Sequence, residues 1–424
     1  MFTPSSIVAM WLRALFAVAV IASASYLLVL WYRELARPIA QRQASEEQNE
    51  RVDVAQSPEA VTRITRWRPG FDKPTALLAG AIGLCAWSFG AGRIVYPRFR
   101  RPGSDEPSSK RSTRKTRLRR PDGTELNVEE FGKSDGPTVI LTHGWGMDST
   151  EWYYAKESLA KDYRLIVWDL PGAGLSSRAA NRDYSIERFS HDLHAVVEWC
   201  GAAQIVLVGH SIGGMIHQTY ARLYPGSNAI SGLALVHTTY KDPVRTTKHG
   251  ALYTTIEKPV IIPLLYLTIA LSPLVWLMNV LSYLNGSTHR STDTQSFSGN
   301  ETRGQLEFTA RFVLVQSPGV LARGMLGMIK FDESSNLHSI AFPTLVVPGE
   351  RDPVTLPIAS QVLADSIPNS LLVTIPDGRH QAQMEMHPQF LGALIGFINK
   401  AVEQKTPAKG PNRRPAVDGM RSAS

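Results

Sequence analysis

The stretch Ile205-Val206-Leu207-Val208-Gly209-His210-Ser211-Ile212-Gly213 decides the fold. Ile205–Val208 is a short apolar run of the kind that forms a fully buried strand. From Ile212 the pattern is helical as far as Leu223, and Pro225 stops it. A strand that turns at once into a helix forces the residue between them into strained backbone geometry. The small flanking glycines let the turn close, and the Ser211 hydroxyl is then held above the sheet at the positive end of a helix.

The same alternation extends in both directions. Thr116–Arg120 and Glu125–Phe131 flank Pro121-Asp122-Gly123-Thr124, a hairpin turn signal. Strands are predicted at Thr138–Thr142, Arg164–Trp168, Leu233–Val236, Thr344–Val347 and Leu371–Ile375. Helices are predicted near 151–160, 186–199, 357–366 and 387–403. Short buried strands alternating with helices imply an α/β fold, with a mostly parallel central sheet and helices on both faces. The alternation breaks over about 240–335. There Val260–Leu284 is intensely apolar and carries Pro263 and Pro273, so short apolar helices forming a cap are expected rather than one span.

Ahead of this domain, Ala14–Tyr32 and Pro74–Gly92 are two runs of 19 uncharged residues each. A helix of that length just crosses a hydrocarbon core of about 30 Å. Trp11, Trp31 and Tyr32 sit where aromatic rings favour the membrane interface. The net charge of +8 is unevenly spread: residues 1–120 hold 20 Lys/Arg against 9 Asp/Glu, a net +11. The basic excess therefore lies beside the apolar runs, as a charge signal retaining that side in the cytoplasm. No zinc-finger or RNA-binding spacing accompanies it, and nucleic acid is not an expected partner. Cys85 and Cys200 are the only cysteines, so no disulfide framework is indicated. No metal-ligand spacing occurs, and neither a metal nor a cofactor is expected.

The domain organisation expected is a membrane-anchor region over 1–100, with one or two transmembrane helices at about 14–32 and 74–92. A basic flexible linker follows over 101–115, then a folded domain over 116–400 with its insertion at about 240–335, and a disordered tail over 401–424.

Further motifs accompany the Ser211 turn in chain order. They are His143-Gly144-Trp145-Gly146 after a strand, Asp169-Leu170-Pro171-Gly172-Ala173-Gly174-Leu175-Ser176, Gly349-Glu350-Arg351-Asp352-Pro353-Val354, and Asp377-Gly378-Arg379-His380. With Gly209-His210-Ser211-Ile212-Gly213, the set resembles the α/β-hydrolase family over roughly residues 116–400. The resemblance implies a serine hydrolase of the esterase or lipase kind, with Ser211 as nucleophile and His380 as its base. Chemistry agrees: an unassisted serine hydroxyl needs an adjacent base, and that base needs a carboxylate to hold its tautomer. Asp352 is the best placed acid, with Glu350 and Asp377 as alternatives. The resemblance further implies that the backbone N–H groups of Trp145 and Ile212 form the oxyanion hole. His143, His210, His387, Asp169 and Asp192 are expected to be structural. One position departs from the family, which usually has Gly where Arg379 stands.

Together these features lead to the expectation of a membrane-associated enzyme that cleaves a lipophilic carboxylic ester or lipid through an acyl-enzyme, with its catalytic domain on the cytoplasmic side. C–C bond hydrolysis, or another cofactor-free reaction of the same triad, is the alternative within the fold. Epoxide and haloalkane hydrolysis are disfavoured, because Ser rather than Asp holds the nucleophile position. A non-catalytic membrane scaffold is the alternative from another class.

Overall fold

The computed structural model describes residues 4–52 and 73–405. The expected tail therefore falls mostly outside the described residues, as does much of the segment joining the two apolar runs. Residues 401–405 are not a tail: they are the last turn of the final helix.

The chain opens with helix α1 (Pro4–Val52), and α2 (Lys73–Ala86) packs along it. A π turn over Trp87–Ala91, the short helix α3 (Gly92–Val95) and a 3₁₀ turn over Tyr96–Phe99 complete the second element. The two elements run antiparallel. Lys73 Nζ meets Glu34 Oε1 at 2.6 Å at one end, Gly80 faces Leu27 in the middle, and Gly92 lies against the backbone of Asn285 at the other end. The apolar runs read from sequence are thus helical, but α1 extends beyond its run at both ends. Leu15, Phe16, Val18, Tyr26, Val29, Tyr32 and Leu35 of α1 are exposed, whereas Ile7 and Met10 join the hydrophobic core.

The sheet has eight strands in the order β1-β2-β4-β3-β5-β6-β7-β8. They are β1 (Lys115–Arg119), β2 (Glu125–Gly132), β3 (Thr138–Thr142), β4 (Arg164–Trp168), β5 (Ile205–His210), β6 (Ile230–Val236), β7 (Thr344–Val347) and β8 (Ser370–Leu372). β2 is antiparallel to both of its neighbours, and the remaining pairings are parallel, so the sheet is mixed but mostly parallel. Side chains alternate between faces along each central strand. Ile140, Leu207 and Leu235 pack on one face against Phe189 and Leu193 of α5 (Ile186–Cys200), after α4 (Tyr153–Leu159) in the chain, and against Met215 of α6 (Ile212–Leu223). Val139, Leu141, Val206 and Val208 pack on the other face against Trp152, Phe390 and Leu394. Burial on both faces explains why these strands read as unbroken apolar runs.

Between β6 and β7 the chain forms α7 (Gly250–Ile256), α8 (Ile262–Ala270), α9 (Ser272–Leu284), α10 (Ser287–Ser296), α11 (Arg303–Ala310), α12 (Phe312–Val315) and α13 (Pro318–Ile329). Pro273 lies in the first turn of α9, where the missing N–H costs nothing, and Pro263 lies just after the π turn over Glu257–Ile261 that leads into α8. By length and composition alone, Ile7–Arg37, Lys73–Phe99 and Gly250–Ala270 are apolar enough to cross a membrane. The third is divided by a π turn over Glu257–Ile261, and its Ile261 and Leu265 belong to the core. The chain closes with α14 (Pro357–Ser366), α15 (Ala382–Glu385) and α16 (His387–Lys405).

The segment expected to be a flexible linker is pinned at Arg111. Its guanidinium donates to Glu129 Oε1 at 3.1 Å, Asp148 Oδ2 at 3.0 Å, Asp169 Oδ2 at 3.0 Å and Ser149 Oγ at 2.7 Å. Burial alone would lower its pKa, but Asp169, Asp148 and Glu129 together raise it. The basic composition of the stretch hid one arginine that is a structural counter-ion.

Removing Arg111 leaves the buried carboxylates of Glu129 and Asp169 without their cation. Arg111→Met is expected to destabilise the chain by about 3 kcal/mol, read as a lower midpoint in chemical denaturation followed by tryptophan fluorescence.

Candidate active site

Ser211 stands between β5 and α6 with φ 54° and ψ −116°. That is the left-handed half of backbone space, strained for any residue but glycine. Four hydrogen bonds hold it there: Ser211 N–H donates to the Val236 carbonyl at 2.9 Å, and the Ser211 carbonyl accepts from Gly214 N–H at 2.9 Å, Met215 N–H at 3.4 Å and Thr238 Oγ1 at 2.7 Å. The flanking glycines are required by contact. A Cβ on Gly209 would lie 2.4 Å from the Gly213 carbonyl carbon, and one on Gly213 would lie 2.5 Å from the Thr142 carbonyl oxygen. The chain thus folds back on itself and onto the end of β3.

His380 and Asp352 come from loops at the same end of the sheet. His380 Nδ1 donates to Asp352 Oδ2 at 2.6 Å, and both side chains are fully buried. The Asp352 carboxylate also accepts from Val354 N–H at 2.7 Å, Thr355 N–H at 3.1 Å and Thr355 Oγ1 at 2.8 Å. Burial alone would raise the pKa of Asp352, but His380 and these donors hold it below its ordinary value. Burial pushes the His380 imidazole below its ordinary value, against the pull of Asp352. With Nδ1 given to Asp352, Nε2 carries the lone pair, and it is buried with no hydrogen-bond partner, Ser211 Oγ included. The ring of His210, next to Ser211 in the chain, lies 5.0 Å from the ring of His380. Such hydrogen bonds are often long in free enzymes and tighten only with substrate bound.

Of the expected acids, Asp352 alone meets His380. Glu350 accepts from Asp377 N–H at 2.9 Å, and Asp377 pairs with Arg351 at 2.7 Å in an exposed bridge. Arg379, the departure from the family pattern, donates to the Thr294 carbonyl on α10 and leaves His380 undisturbed. Ile212 opens α6, so its N–H is among the first-turn donors that a helix leaves unpaired. Trp145 lies in the loop after β3, with its indole Nε1–H given to the Leu321 carbonyl at 3.0 Å.

The residues expected to be structural make structural contacts. His143 Nε2 accepts from Leu170 N–H at 3.0 Å, and its Nδ1–H donates to the Gly144 carbonyl at 2.9 Å. Asp169 accepts from Ser149 N–H and Leu175 N–H, and Asp192 pairs with Arg120 and Arg188. His387 stacks face to face on Tyr154 at 3.8 Å. His210 donates Nε2–H to the His380 carbonyl at 3.0 Å.

The sequence did not reveal Glu151. Its carboxylate meets His210 Nδ1 and accepts from Gly144 N–H at 2.7 Å and from Gln383 Nε2 at 2.9 Å. One buried side chain therefore ties the loop carrying Trp145 to the residue before Ser211, and through His210 to the backbone of His380. Burial alone would raise the pKa of Glu151, but His210 and the Gly144 N–H lower it. His237, at the end of β6, was missed as well. Its φ is 43°, neither ring nitrogen has a partner, and burial pulls its pKa down to about 3, so it is neutral. Among the described residues, no group of three or more His, Cys, Asp or Glu is placed to hold a metal ion.

A serine at a strained strand-to-helix turn, and a carboxylate-bound imidazole whose ring lies 5.0 Å from that of the preceding residue, are groups of the kind that nucleophilic attack on a carbonyl requires. The family comparison agrees with the fold. The family model described as "alpha/beta hydrolase fold" matches residues 137–386, and the chain belongs to this family. It is a hydrolase of the α/β fold. The chain is 26% identical over 275 residues to the "Putative carbamate hydrolase RutD" of Pseudomonas savastanoi pv. phaseolicola, covering 63% of this chain and 95% of that one. It is 35% identical over 100 residues to the pimeloyl-[acyl-carrier protein] methyl ester esterase of Aeromonas hydrophila, covering 24% of this chain and 37% of that one. Among solved structures, a thermophilic esterase from Thermogutta terrifontis superposes with a TM-score of 0.55 at 25% identity, covering 69% of this chain and 99% of that chain.

The electrostatics of the pair give a direct measurement. His380 is expected to titrate below the ordinary imidazole value of 6.5, because burial outweighs Asp352. Asp352→Asn is expected to move it lower still, since the carboxylate's upward pull is lost while the burial remains. A histidine-labelled NMR titration checks both shifts.

Proposed function

We propose that this chain is a membrane-tethered serine hydrolase that cleaves a lipophilic carboxylic ester by acyl-enzyme chemistry. The observation that carries the reading is the 2.6 Å hydrogen bond from His380 Nδ1 to Asp352, with Nε2 buried and unpaired and the ring 5.0 Å from that of His210, the residue before Ser211. Ser211 Oγ attacks the ester carbonyl, and its proton passes to His380 Nε2. The N–H groups of Trp145 and Ile212 receive the charge that develops on the carbonyl oxygen. The tetrahedral intermediate collapses, the C–O bond to the alcohol breaks, and His380 returns the proton to the departing oxygen. Water, deprotonated by the same imidazole, then attacks the acyl carbonyl and releases the acid and Ser211. Asp352 holds the imidazole tautomer and stabilises the cation formed in each half-reaction.

Support for an ester comes from relatives whose names specify esterases, and support for a membrane comes from surface chemistry. The exposed apolar part of α1, from Leu15 to Tyr32, is about 26 Å long, close to the thickness of a hydrocarbon core. Tyr266, Leu267, Leu271, Leu274, Trp276 and Leu277 add an exposed apolar face on α8, α9 and the residue joining them, suited to dip into the interface beside the anchor. The antiparallel pairing of the two elements sends their hydrolase-side ends to one surface. With Arg93 and Arg98 in the last turns of the second and Arg100 and Arg101 just after it, the charge rule favours the cytoplasmic side for that surface.

Ser211→Ala is expected to reduce hydrolysis of medium-chain p-nitrophenyl esters by at least about a thousandfold and to abolish fluorophosphonate labelling. An alanine variant that cleaved at the parental rate would end the proposal. Because the neutral imidazole is the active form and its pKa is lowered, kcat/KM is expected to persist below pH 6.5 and to fall only as pH drops through the depressed value.

A further inference from the structure

A cavity lies where α1 meets the helical insertion. Met10 and Arg13 of α1 form one wall, Thr288, Ser291 and Gln295 of α10 another, and Gly146, next to Trp145, reaches its floor. Ser296, also on its lining, accepts from the N–H of Gln381, the residue after His380. The cavity therefore adjoins both loops that serve the proposed reaction.

Its chemistry is unusual for an acyl pocket. Among the described residues, more than half of its lining is hydroxyl or amide, and it contains one charge, the Arg13 guanidinium, with no Asp or Glu. Among the described residues the Arg13 side chain makes one hydrogen bond, from Nη1 to Ser291 Oγ at 2.5 Å. Its Nε is buried with no partner, and so is the hydroxyl of Thr288 across the cavity. The acid on α10, Asp293, is turned away and taken by Arg100 and Tyr96. A half-buried cation with no counter-ion among the described residues is costly. A guanidinium presents a planar fork of donors matched to carboxylate and phosphate oxygens.

We propose that this cavity is a subsite for a compact oxyanion, phosphate or carboxylate, carried by the ester that Ser211 cleaves, and that Arg13 is its counter-ion. The inference rests on the ester reading above and narrows it to amphiphiles with a hydrocarbon part and one anionic group. The hydroxyls of Thr288 and Ser291 complete the donor set around the anion. A lone arginine near a membrane surface also serves to contact the phosphate of bulk lipid; the test separates the two sources.

Full-length protein in a phosphate-free maltoside detergent is assayed on matched pairs: p-nitrophenyl octanoate against p-nitrophenyl hydrogen suberate, and a monoacylglycerol against the lysophosphatidate of the same chain. The wild type is expected to favour the anionic member of at least one pair. Arg13→Gln should lower the anionic-to-neutral ratio of kcat/KM about tenfold or more, mainly through KM, and Arg13→Lys should restore part of it. In parallel, octyl phosphate should raise the melting temperature of the wild type more than octanol does, and this difference should vanish in Arg13→Gln. Ester cleavage with the same charge ratio in wild type and Arg13→Gln overturns the subsite and leaves the esterase standing. Stabilisation by octyl phosphate that depends on Arg13, with no ester cleaved, keeps the oxyanion site and overturns the esterase. A preference that disappears once anionic phospholipid is added overturns the substrate assignment in favour of a headgroup contact.

Discussion

The approach of Gly213 to the Thr142 carbonyl is the constraint on which the site depends. It allows β5 to turn into α6 without an intervening loop, and it fixes Ser211 in a backbone conformation costing about 1–3 kcal/mol. The surrounding fold holds that conformation by burying β3, β5 and β6 on both faces and by clamping the Ser211 peptide from Val236 and Thr238. A side chain at position 213 would push α6 off the sheet. The hydroxyl, the first N–H of α6 and the loop after β3 would then part together.

Around this turn the buried charges are arranged as connectors. Arg111 gathers Asp148, Glu129 and Asp169, and so binds the segment that follows the two N-terminal helical elements to β2 and to the loops after β3 and β4. Glu151 links Gly144 to His210 and, through it, to His380. Each is a group that would be expensive to bury alone, and each is satisfied by partners on several loops. The loops carrying the candidate chemistry therefore hold one another in place across the end of the sheet.

Much of the fold was legible because the central strands are short apolar runs bounded by polar residues. β3, β4, β7 and α14 have the limits read from sequence. β8 does not: Leu371–Ile375 was expected and Ser370–Leu372 pairs, since an edge strand lacks the two-sided burial that makes a run unambiguous. The pairing of His380 with Asp352, and the strained turn at Ser211, were legible through motifs local in sequence. Glu151, Arg111 and Arg13 were not, because their partners are distant. Ser291 lies 278 residues from Arg13, and nothing near Arg13 in the chain marks it as facing a cavity rather than flanking a membrane helix.

Met10 and Arg13 lie outside residues 137–386, the region shared with the family, yet they wall a cavity whose remaining sides are built from that region. A chain begun after α1 would keep every residue of the candidate triad and open one side of the chamber to solvent. The leading helix is a piece of the enzyme's interior as well as its candidate attachment, and a shortened, easily handled form would report the selectivity of a different container.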